Sequence, residues 1–241
     1  SQASGKTQKE SSIILGGLDV RPYPHQEEIL EKLRVERSIH GNHRNLVVAA
    51  TGTGKTVVAA LDYRDNLSTP GRYPRLLFVA HRIEILKQAM RTYRAVLKEG
   101  DFGEILGGAY EPRNWTHVFA TIQSLSRNLD RISPDRFDVV VIDEFHHAEA
   151  STYRKVLQVL NPSELLGLTA TPERADGVDV ATFFDNRTAA SIRLWDALEA
   201  DLLCPFHYFG VSDNTDLSAL KWVRGKYDDN VLSDYYVNND T

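Results

Sequence analysis

The chain is poor in cysteine, since Cys204 is its only one among 241 residues. A disulfide within the chain is therefore excluded, and one cysteine with scattered histidines gives no spacing typical of a zinc site. The sequence also lacks an uninterrupted apolar run of about 20 residues, the length that crosses a bilayer. We expect a protein that is not embedded in a membrane and that suits the reducing cytoplasm.

Basic residues are outnumbered as well, with 28 Lys and Arg against 33 Asp and Glu and a net charge of -5. This balance argues against a globally basic protein that coats nucleic acid, although it is compatible with a local basic groove. A hydrophobic content of 42% and a charged content of 25% are typical of a folded domain. The length is sufficient for one sizeable α/β domain or two small ones.

A glycine-rich segment, A-A-T-G-T-G-K-T at residues 49–56, has a spacing with a chemical meaning. In phosphate-binding loops the glycines turn backbone N–H groups toward a polyphosphate, the lysine reaches the outer phosphates and the hydroxyl joins a Mg²⁺ shell. The predicted nucleotide-binding residues are Thr51, Gly52, Thr53, Gly54, Lys55 and Thr56. An apolar run of strand type precedes the loop and a run that can continue as a helix follows it. This context disfavours the alternative, a glycine-rich turn with a chance Lys-Thr pair, although Ala49 stands where the full pattern has glycine.

Two carboxylates follow a second apolar run. Residues 137–142 are short and rich in β-branched side chains, which predicts a buried parallel strand that ends at Asp143 and Glu144. Ligands of open α/β sheets collect at the carboxyl ends of the strands, so both carboxylates are expected near Lys55. Asp143 would then hold Mg²⁺ through water, and Glu144 would orient and deprotonate the attacking water. Such a pair alone is often only a polar exit from a strand, but together with the glycine-rich loop it predicts ATP hydrolysis.

Strand-like and helix-like segments alternate along the chain. Strands are predicted at 46–50, 76–80, 118–120, 137–142 and 165–168, and helices over 24–39, 57–61, 83–97 and 153–160. This alternation predicts an α/β fold of three layers, with a mostly parallel sheet between helices on both faces. We expect a disordered tail or expression remnant at 1–18, the ATP-binding domain at 19–211 and an interdomain linker or docking tail at 212–241.

Several segments in one order resemble the first motor lobe of superfamily 2 helicases and translocases. They are His25-Gln26, residues 50–56, V-A-H-R at 79–82, T-I-Q-S-L at 121–125, D-E-F-H at 143–146 and T-A-T-P at 169–172. Because His146 is the fourth residue of the acidic box, the chain resembles the DExH branch, and within it the motor subunits of restriction enzymes (ResIII-like) and excision-repair DNA helicases. The resemblance covers roughly residues 21–209 and implies a RecA-like P-loop NTPase fold, ATP and Mg²⁺, and a nucleic-acid strand lying across the lobe.

The resemblance also implies roles for single residues. Gln26 corresponds to the residue that reads the adenine edge, although an exposed polar residue in the first helical turn is the plainer alternative. Phosphates of the nucleic acid would be contacted by His81 and Arg82 and by Thr121, Gln123 and Ser124, which fix register without reading sequence. Thr169 and Thr171 correspond to the motif that couples ATP to nucleic acid, with His146 as the other contact. A strand end followed by a proline stop is the alternative for residues 169–172.

Four basic residues share one face of the predicted helix over 83–97 and its end. They are Lys87, Arg91, Arg94 and Lys98. A contact with backbone phosphates is one interpretation of this stripe, but a solvated outer face is the commoner one.

Motors of this class hydrolyse ATP between two RecA-like lobes, and the second lobe supplies arginines to the reaction. We therefore expect a fragment of a larger motor, or a protein that needs a second lobe in cis or in trans, with a fused or associated nuclease as a further partner. DNA is the expected partner, RNA is left open, and no membrane is expected. Two alternatives stay open: a nucleotide- or nucleic-acid-binding switch without turnover, and a small-molecule kinase with the same phosphate loop.

Overall fold

The structure is a computed structural model that describes residues 19–69, 72–143, 150–170, 180–192, 194–199, 202, 222–223 and 226–227. Its strands are β1 (Arg44–Ala49), β2 (Leu76–Ala80), β3 (Glu104–Leu106), β4 (His117–Thr121), β5 (Val139–Asp143), β6 (Glu164–Thr169), β7 (Ala190–Ile192), β8 (Trp222–Val223) and β9 (Lys226–Tyr227). Its α-helices are α1 (Pro24–Ser38), α2 (Lys55–Asp62), α3 (Ile83–Leu97), α4 (Ile122–Asn128), α5 (Ala150–Val159) and α6 (Leu194–Glu199). A π-helical turn, Tyr63–Leu67, extends α2, and 3₁₀ turns lie at Leu129–Arg131 and Val180–Phe184.

Seven strands form one sheet in the order β3-β4-β2-β5-β6-β1-β7, and every pairing within it is parallel. The parallel sheet predicted from the alternation of segments is confirmed. The five predicted strands are the five in its middle, whereas the two edge strands, β3 and β7, were not predicted. Each edge strand has three residues, too few to show an apolar run or an alternation.

The sheet is buried on both faces because successive side chains of each strand point to opposite sides. One cluster packs α1, α2 and α3 against one face, where the fully buried rings of Phe78 and Phe119 stack on each other. A second cluster packs α4 and α5 against the other face, where Tyr153 and Phe184 are fully buried. The three-layer arrangement predicted from the sequence is confirmed.

Local sequence explains where the helices begin and end. Pro24 occupies the first position of α1, where its missing N–H costs nothing. Helix α3 has the predicted bounds, because its apolar residues recur on one face and Lys98 ends it in the left-handed conformation with φ of 60°. The buried side of α3 is formed by Leu86, Ala89, Tyr93, Val96 and Leu97.

A buried ion-pair network fastens α1 to the rest of the lobe. The Arg37 guanidinium donates two hydrogen bonds of 2.7 Å to the Asp62 carboxylate at the end of α2 and one of 2.8 Å to Glu164 at the start of β6. The side chains of Arg37, Asp62 and Glu164 are 10%, 1% and 12% exposed. Burial lowers the pKa of Arg37, but the hydrogen bonds and charges of Asp62 and Glu164 outweigh it and raise that pKa. We call these three residues the Arg37 network.

The proposed domain limits stay predictions. Residues 1–18 lie outside the described part of the chain, and within 212–241 the structure describes only the antiparallel pair of β8 and β9. Within the described ranges, no helix has the length and apolarity needed to cross a bilayer.

Candidate nucleotide site at the carboxyl edge of the sheet

The glycine-rich loop connects the end of β1 to the start of α2, as its sequence predicts. Gly52 and Gly54 adopt φ of 93° and 82°, a region that residues with a Cβ rarely enter. A Cβ added at Gly54 would also overlap the Gln26 amide nitrogen. Glycine at position 54 therefore avoids backbone strain and lets the Gln26 side chain of α1 approach the loop closely.

Lys55 is the first residue of α2 and is 8% exposed. Its Nζ donates hydrogen bonds to the carbonyl oxygens of Ala49 at 2.9 Å and Ala50 at 3.3 Å. The loop thus folds around the lysine, and Thr56 follows half-buried in the first turn of the helix. The positive end of the α2 dipole and the Lys55 ammonium together favour an anion at this point.

Helix α1 covers the loop through two neighbouring side chains. The side-chain oxygen of Gln26 accepts a hydrogen bond from the Tyr23 N–H at 3.0 Å. The side-chain NH₂ group of Gln26 donates one to the backbone carbonyl oxygen of Thr53 at 3.1 Å. His25 Nε2 donates to the same Thr53 oxygen at 3.0 Å, which requires the Nε2–H tautomer or the charged ring. Because Gln26 is 4% exposed, the interpretation of an exposed polar residue is wrong.

The contact of His25 was not predicted, although this histidine is part of the quoted His25-Gln26 segment. The signal was its place next to Gln26 in the first turn of α1. His25 and Gln26 can both donate to the Thr53 carbonyl oxygen only because the glycine-rich loop packs against the start of α1. A single sequence does not reveal this packing.

Asp143 and Thr169 lie at the same edge of the sheet as the loop. Strand β6 separates β1 from β5, and the register pairs Asp143 with Leu168 and Val48 with Thr169. Two strand spacings put the backbone of β5 about 10 Å from that of β1. Asp143 is 4% exposed and Thr169 is fully buried. The topology thus brings Lys55, Asp143 and Thr169 to one edge, as predicted.

Three further predicted site residues, Glu144, His146 and Thr171, lie outside the described residues. The roles given to them stay predictions.

The two segments that were predicted to contact nucleic acid, residues 81–82 and 121–124, lie side by side at this edge. The pairing of β2 with β4 sets Ala80 beside Thr121, so His81 and Arg82 leave the sheet next to the start of α4. Arg82 and Gln123 are exposed, whereas His81 and Ser124 are half-buried. The Thr121 hydroxyl accepts from the Ser124 N–H at 3.3 Å and so caps α4, which leaves its own proton to donate.

The basic stripe of α3 is engaged within the chain more than either interpretation assumed. Arg94 donates to the carbonyl oxygens of Phe102 at 2.8 Å and Gly103 at 3.1 Å. Lys98 pairs with Asp19 at 2.6 Å, and the Lys87 ammonium lies over the Tyr110 ring. Arg91 and Lys98 are exposed and fit the solvated outer face, whereas Lys87 and Arg94 are half-buried. The stripe is therefore not a continuous phosphate-binding surface.

The opposite, amino edge of the sheet contains a different kind of cavity. About 250 Å³ opens at the starts of β3 and β4, lined by Glu99, Asp101, Glu104 and the stacked pair Phe102 and His117. Three carboxylates disfavour a polyphosphate there. The amino edge is thus a poor alternative location for the nucleotide.

Comparison with known proteins agrees with the carboxyl-edge geometry. Residues 19–174 match the family described as type III restriction enzyme, res subunit (ResIII). The chain belongs to this family. The match contains the glycine-rich loop, Asp143 and Thr169, so the ResIII pattern covers the residues that the sheet brings together.

Individual relatives extend the same picture. The chain is 28% identical to a type I restriction enzyme EcoAI endonuclease subunit of Escherichia coli, over 93% of this chain and 29% of that protein. It is also 28% identical to a provisionally assigned ATP-dependent helicase, IRC3, of Saccharomyces cerevisiae, over 75% of this chain and 28% of that protein. The chain thus spans less than a third of these relatives.

A solved structure gives the same fold. A fragment assigned to an HsdR subunit of a type I restriction enzyme from Vibrio vulnificus YJ016 superposes with a TM-score of 0.55 and 26% identity, over 80% of this chain and 34% of that one. The RecA-like α/β fold implied by the sequence resemblance is confirmed.

The residues present fit a nucleoside triphosphate with Mg²⁺. Gly52 and Gly54 supply a loop that no Cβ obstructs, and the buried Lys55 ammonium is held by carbonyl oxygens that a phosphate oxygen can replace. Thr56 and Asp143 provide the hydroxyl and carboxylate oxygens that Mg²⁺ prefers. Among the ranges that the structure describes, no three His, Cys, Asp or Glu side chains form a separate metal cluster.

Proposed function

We propose that the chain is the ATP-binding lobe of a nucleic-acid-dependent ATPase, which hydrolyses ATP with Mg²⁺ to move along DNA and needs a second RecA-like lobe. The observation that carries this proposal is the loop around Lys55 at the end of β1, with Asp143 at the end of β5 on the same edge. The part of the relatives that the chain spans, 29% and 28%, agrees with one lobe of a larger motor.

In this proposal each residue of the nucleotide site has one task. Lys55 leaves the carbonyl oxygens of Ala49 and Ala50 and pairs with the outer phosphates, while the N–H groups of the loop hold the others. Thr56 and Asp143 would hold Mg²⁺, Asp143 partly through water, and the bound Mg²⁺ would neutralise charge on the phosphates. Glu144, next to Asp143 in the chain, orients the attacking water and accepts its proton.

Gln26 is proposed to read the adenine edge from α1. Its burial beside the loop supports a place at the nucleotide, and binding would require its amide to exchange the Thr53 or Tyr23 contact for the base. A glutamine amide can both donate to and accept from one base edge, which suits recognition of adenine.

The nucleic acid is proposed to cross the same edge beyond the nucleotide. His81 and Arg82 after β2 and Thr121, Gln123 and Ser124 after β4 would contact backbone phosphates, which gives tracking without sequence readout. Thr169, between β1 and β5, together with Thr171 and His146, would couple this contact to the nucleotide. DNA is preferred because the family and the Escherichia coli relative are restriction enzymes.

Two variants test the nucleotide site. We expect Lys55→Ala to weaken binding of a fluorescent ATP analogue by at least about tenfold, because hydrogen bonds to a charged group contribute about 1.5–3 kcal/mol. Glu144→Gln should keep binding and lose hydrolysis in a single-turnover assay with Mg²⁺. The control is Lys32→Ala, which breaks only an exposed ion pair with Glu28. Unchanged binding in Lys55→Ala, or unchanged hydrolysis in Glu144→Gln, would refute the roles assigned here.

A second measurement tests the motor itself. The chain alone should turn ATP over slowly, whereas the chain joined to the second lobe of a ResIII relative should show hydrolysis that single- or double-stranded DNA stimulates. An arginine from the second lobe is worth about 10³ to 10⁵ in rate in related phosphate-loop enzymes. Strong DNA-stimulated hydrolysis by the chain alone would contradict the need for a second lobe. Binding without turnover in the joined protein would favour a switch module instead.

A further inference from the structure

A tight turn follows the edge strand β3 and presents an aromatic side chain. Gly107 and Tyr110 exchange both backbone hydrogen bonds, each of 3.0 Å. Gly108, between them, has φ of 58°, which suits the first position of a two-residue turn. Because its two ends are hydrogen-bonded to each other, the turn holds the Tyr110 backbone in a fixed place.

This turn lies against the two segments proposed to hold the nucleic-acid backbone. A Cβ added at Gly107 would lie 2.9 Å from Thr121 Cγ2, and one added at Gly108 would lie 3.4 Å from Ile83 Cδ1. Thr121 is itself one of the proposed contacts, and Ile83 directly follows Arg82. The turn therefore packs against both segments at the carboxyl edge, on the side of β4 away from the nucleotide site.

The side chain of Tyr110 is 51% exposed. Of the three exposed large hydrophobic residues in the described ranges, Tyr23 stacks on His25 beside the nucleotide loop and Ile39 ends α1 at the amino edge. Tyr110 alone of these stands beside the proposed nucleic-acid contacts.

A cation accompanies this ring. The Lys87 Nζ lies 5.1 Å from the centroid of the Tyr110 ring, and Lys87 is one helical turn beyond Ile83 on α3. A cation over one face orients the ring and leaves positive charge close to any phosphate that follows a stacked base. Aromatic rings next to positive charge are the usual means by which proteins bind single strands without sequence preference.

We propose that Tyr110 and Lys87 form a stacking platform for one base of a single-stranded nucleic acid that crosses the carboxyl edge beside Arg82 and Thr121. This inference rests on the proposed function, since it adds a base contact to the phosphate contacts suggested there. The platform gives a single strand an advantage over a duplex, because only an unpaired base presents its face to a ring.

The test compares bases with backbone alone. Binding of the 241-residue chain is measured by fluorescence anisotropy with a labelled oligothymidylate of about 12 nucleotides, a length within the span of single-strand sites. A second oligonucleotide of equal length and charge has abasic sites throughout, and an oligouridylate serves as the RNA probe. The variants are Tyr110→Ala, Tyr110→Phe and the matched surface control Ile39→Ala.

We expect Tyr110→Ala to weaken oligothymidylate binding roughly five- to thirty-fold, as the loss of one stacked base does. Tyr110→Phe and Ile39→Ala should bind like the original chain. The abasic oligonucleotide should bind equally to all four proteins, and binding of the ATP analogue should be the same in all of them. A similar loss on oligouridylate would extend the platform to RNA, and a loss on oligothymidylate alone would restrict it to DNA.

The unfavourable outcomes separate this inference from the function on which it rests. If the original chain binds none of the oligonucleotides, the nucleic-acid part of the proposed function fails together with the platform. If the original chain binds but Tyr110→Ala binds oligothymidylate equally well, only the platform is refuted. An equal loss on the thymidylate and abasic probes would also refute stacking, because it would mean that the turn contacts the backbone.

Discussion

The two edges of one sheet use their polar residues in different ways. At the amino edge, charges meet opposite charges: Arg37 holds Asp62 and Glu164, and Arg75 pairs with Asp138. At the carboxyl edge, Lys55 is held by the carbonyl oxygens of its own loop. At the amino edge of the sheet, ion pairs thus join separate segments of the chain. At the carboxyl edge, the glycine-rich loop folds around Lys55.

The difference separates stability from binding. A buried ion pair is costly to break because it leaves a charge without compensation, so the amino edge fastens the helices to the sheet. The Lys55 ammonium can exchange the carbonyl oxygens of Ala49 and Ala50 for phosphate oxygens. Changes at the amino edge should therefore act on the free energy of unfolding, and changes at the carboxyl edge on nucleotide affinity.

The largest effect on stability is expected from Arg37→Ala. It leaves the buried carboxylates of Asp62 and Glu164 without their arginine, which should lower the free energy of unfolding by about 3–5 kcal/mol. The control on the same helix is Arg34→Ala, whose pair with Glu31 is 61% and 56% exposed and contributes about 0–1 kcal/mol. Urea unfolding followed by circular dichroism measures both.

The same protein then tests the separation of the two edges. Below its unfolding transition, Arg37→Ala should bind the ATP analogue within about twofold of the original affinity, a difference of about 0.4 kcal/mol. A much larger loss of affinity would break the comparison, because it would mean that the Arg37 network also positions α1 over the loop.

An intermediate effect is expected from Gly54→Ala. Its φ of 82° disfavours alanine by about 1–3 kcal/mol, and the added Cβ meets the Gln26 amide. Gly41→Ala is the matched control, since Gly41 has φ of 67° but no atom close to an added Cβ. Both should lose stability in urea, but only Gly54→Ala should also lose ATP-analogue affinity. Equal affinity in the two variants would mean that the fit of Gln26 against the loop is unimportant.

The smallest effect concerns pH at the amino edge. Burial lowers the pKa of His117, and its hydrogen bonds to the backbone of Pro74 and Tyr73 only partly oppose this. As pH falls below about 6.5, the unfolded chain therefore takes up a proton at His117 before the folded chain does. This uptake lowers the free energy of unfolding until the pH reaches the lower pKa of His117 in the folded chain.

His117→Phe should remove this contribution and keep a ring against Phe102. As pH falls from about 6.5 to 5, we expect the free energy of unfolding of His117→Phe to decrease less steeply than that of the original chain. The two slopes should differ by less than the slope that one bound proton gives. His40→Phe, at an exposed histidine, is the control. An unchanged slope in His117→Phe would show that this histidine does not contribute to acid sensitivity.

Much of this architecture could be predicted from local patterns. Strand β2 and helix α3 have the predicted bounds, because an apolar run and an apolar helix face are each complete within a few turns of chain. The loop around Lys55 was predictable for the same reason. Its residues are consecutive, and its function depends on backbone shape more than on distant partners.

The features that sequence reasoning missed depend on distant segments. Arg37 pairs with Asp62, which is 25 positions away in the sequence, and with Glu164, which is 127 positions away. No local sequence pattern connects these three residues. The contact of Tyr110 with Lys87 depends on strand β3, which was not predicted. The turn that follows this strand places Tyr110 beside α3. The partners of Arg94 and Lys87 in the basic stripe were not predicted, because they lie in loops that the helical periodicity does not describe.

Strand β7 has a consequence for where this lobe can be divided. The family match ends at residue 174, but Ala190–Ile192 pairs with β1, and the Ile192 carbonyl accepts the Ala50 N–H at 3.0 Å, at the first step of the glycine-rich loop. A polypeptide cut at the family boundary would leave one side of β1 unpaired, and such an open strand invites pairing with another molecule. We therefore expect a piece that extends past Ile192 to aggregate less than a piece that ends at residue 174.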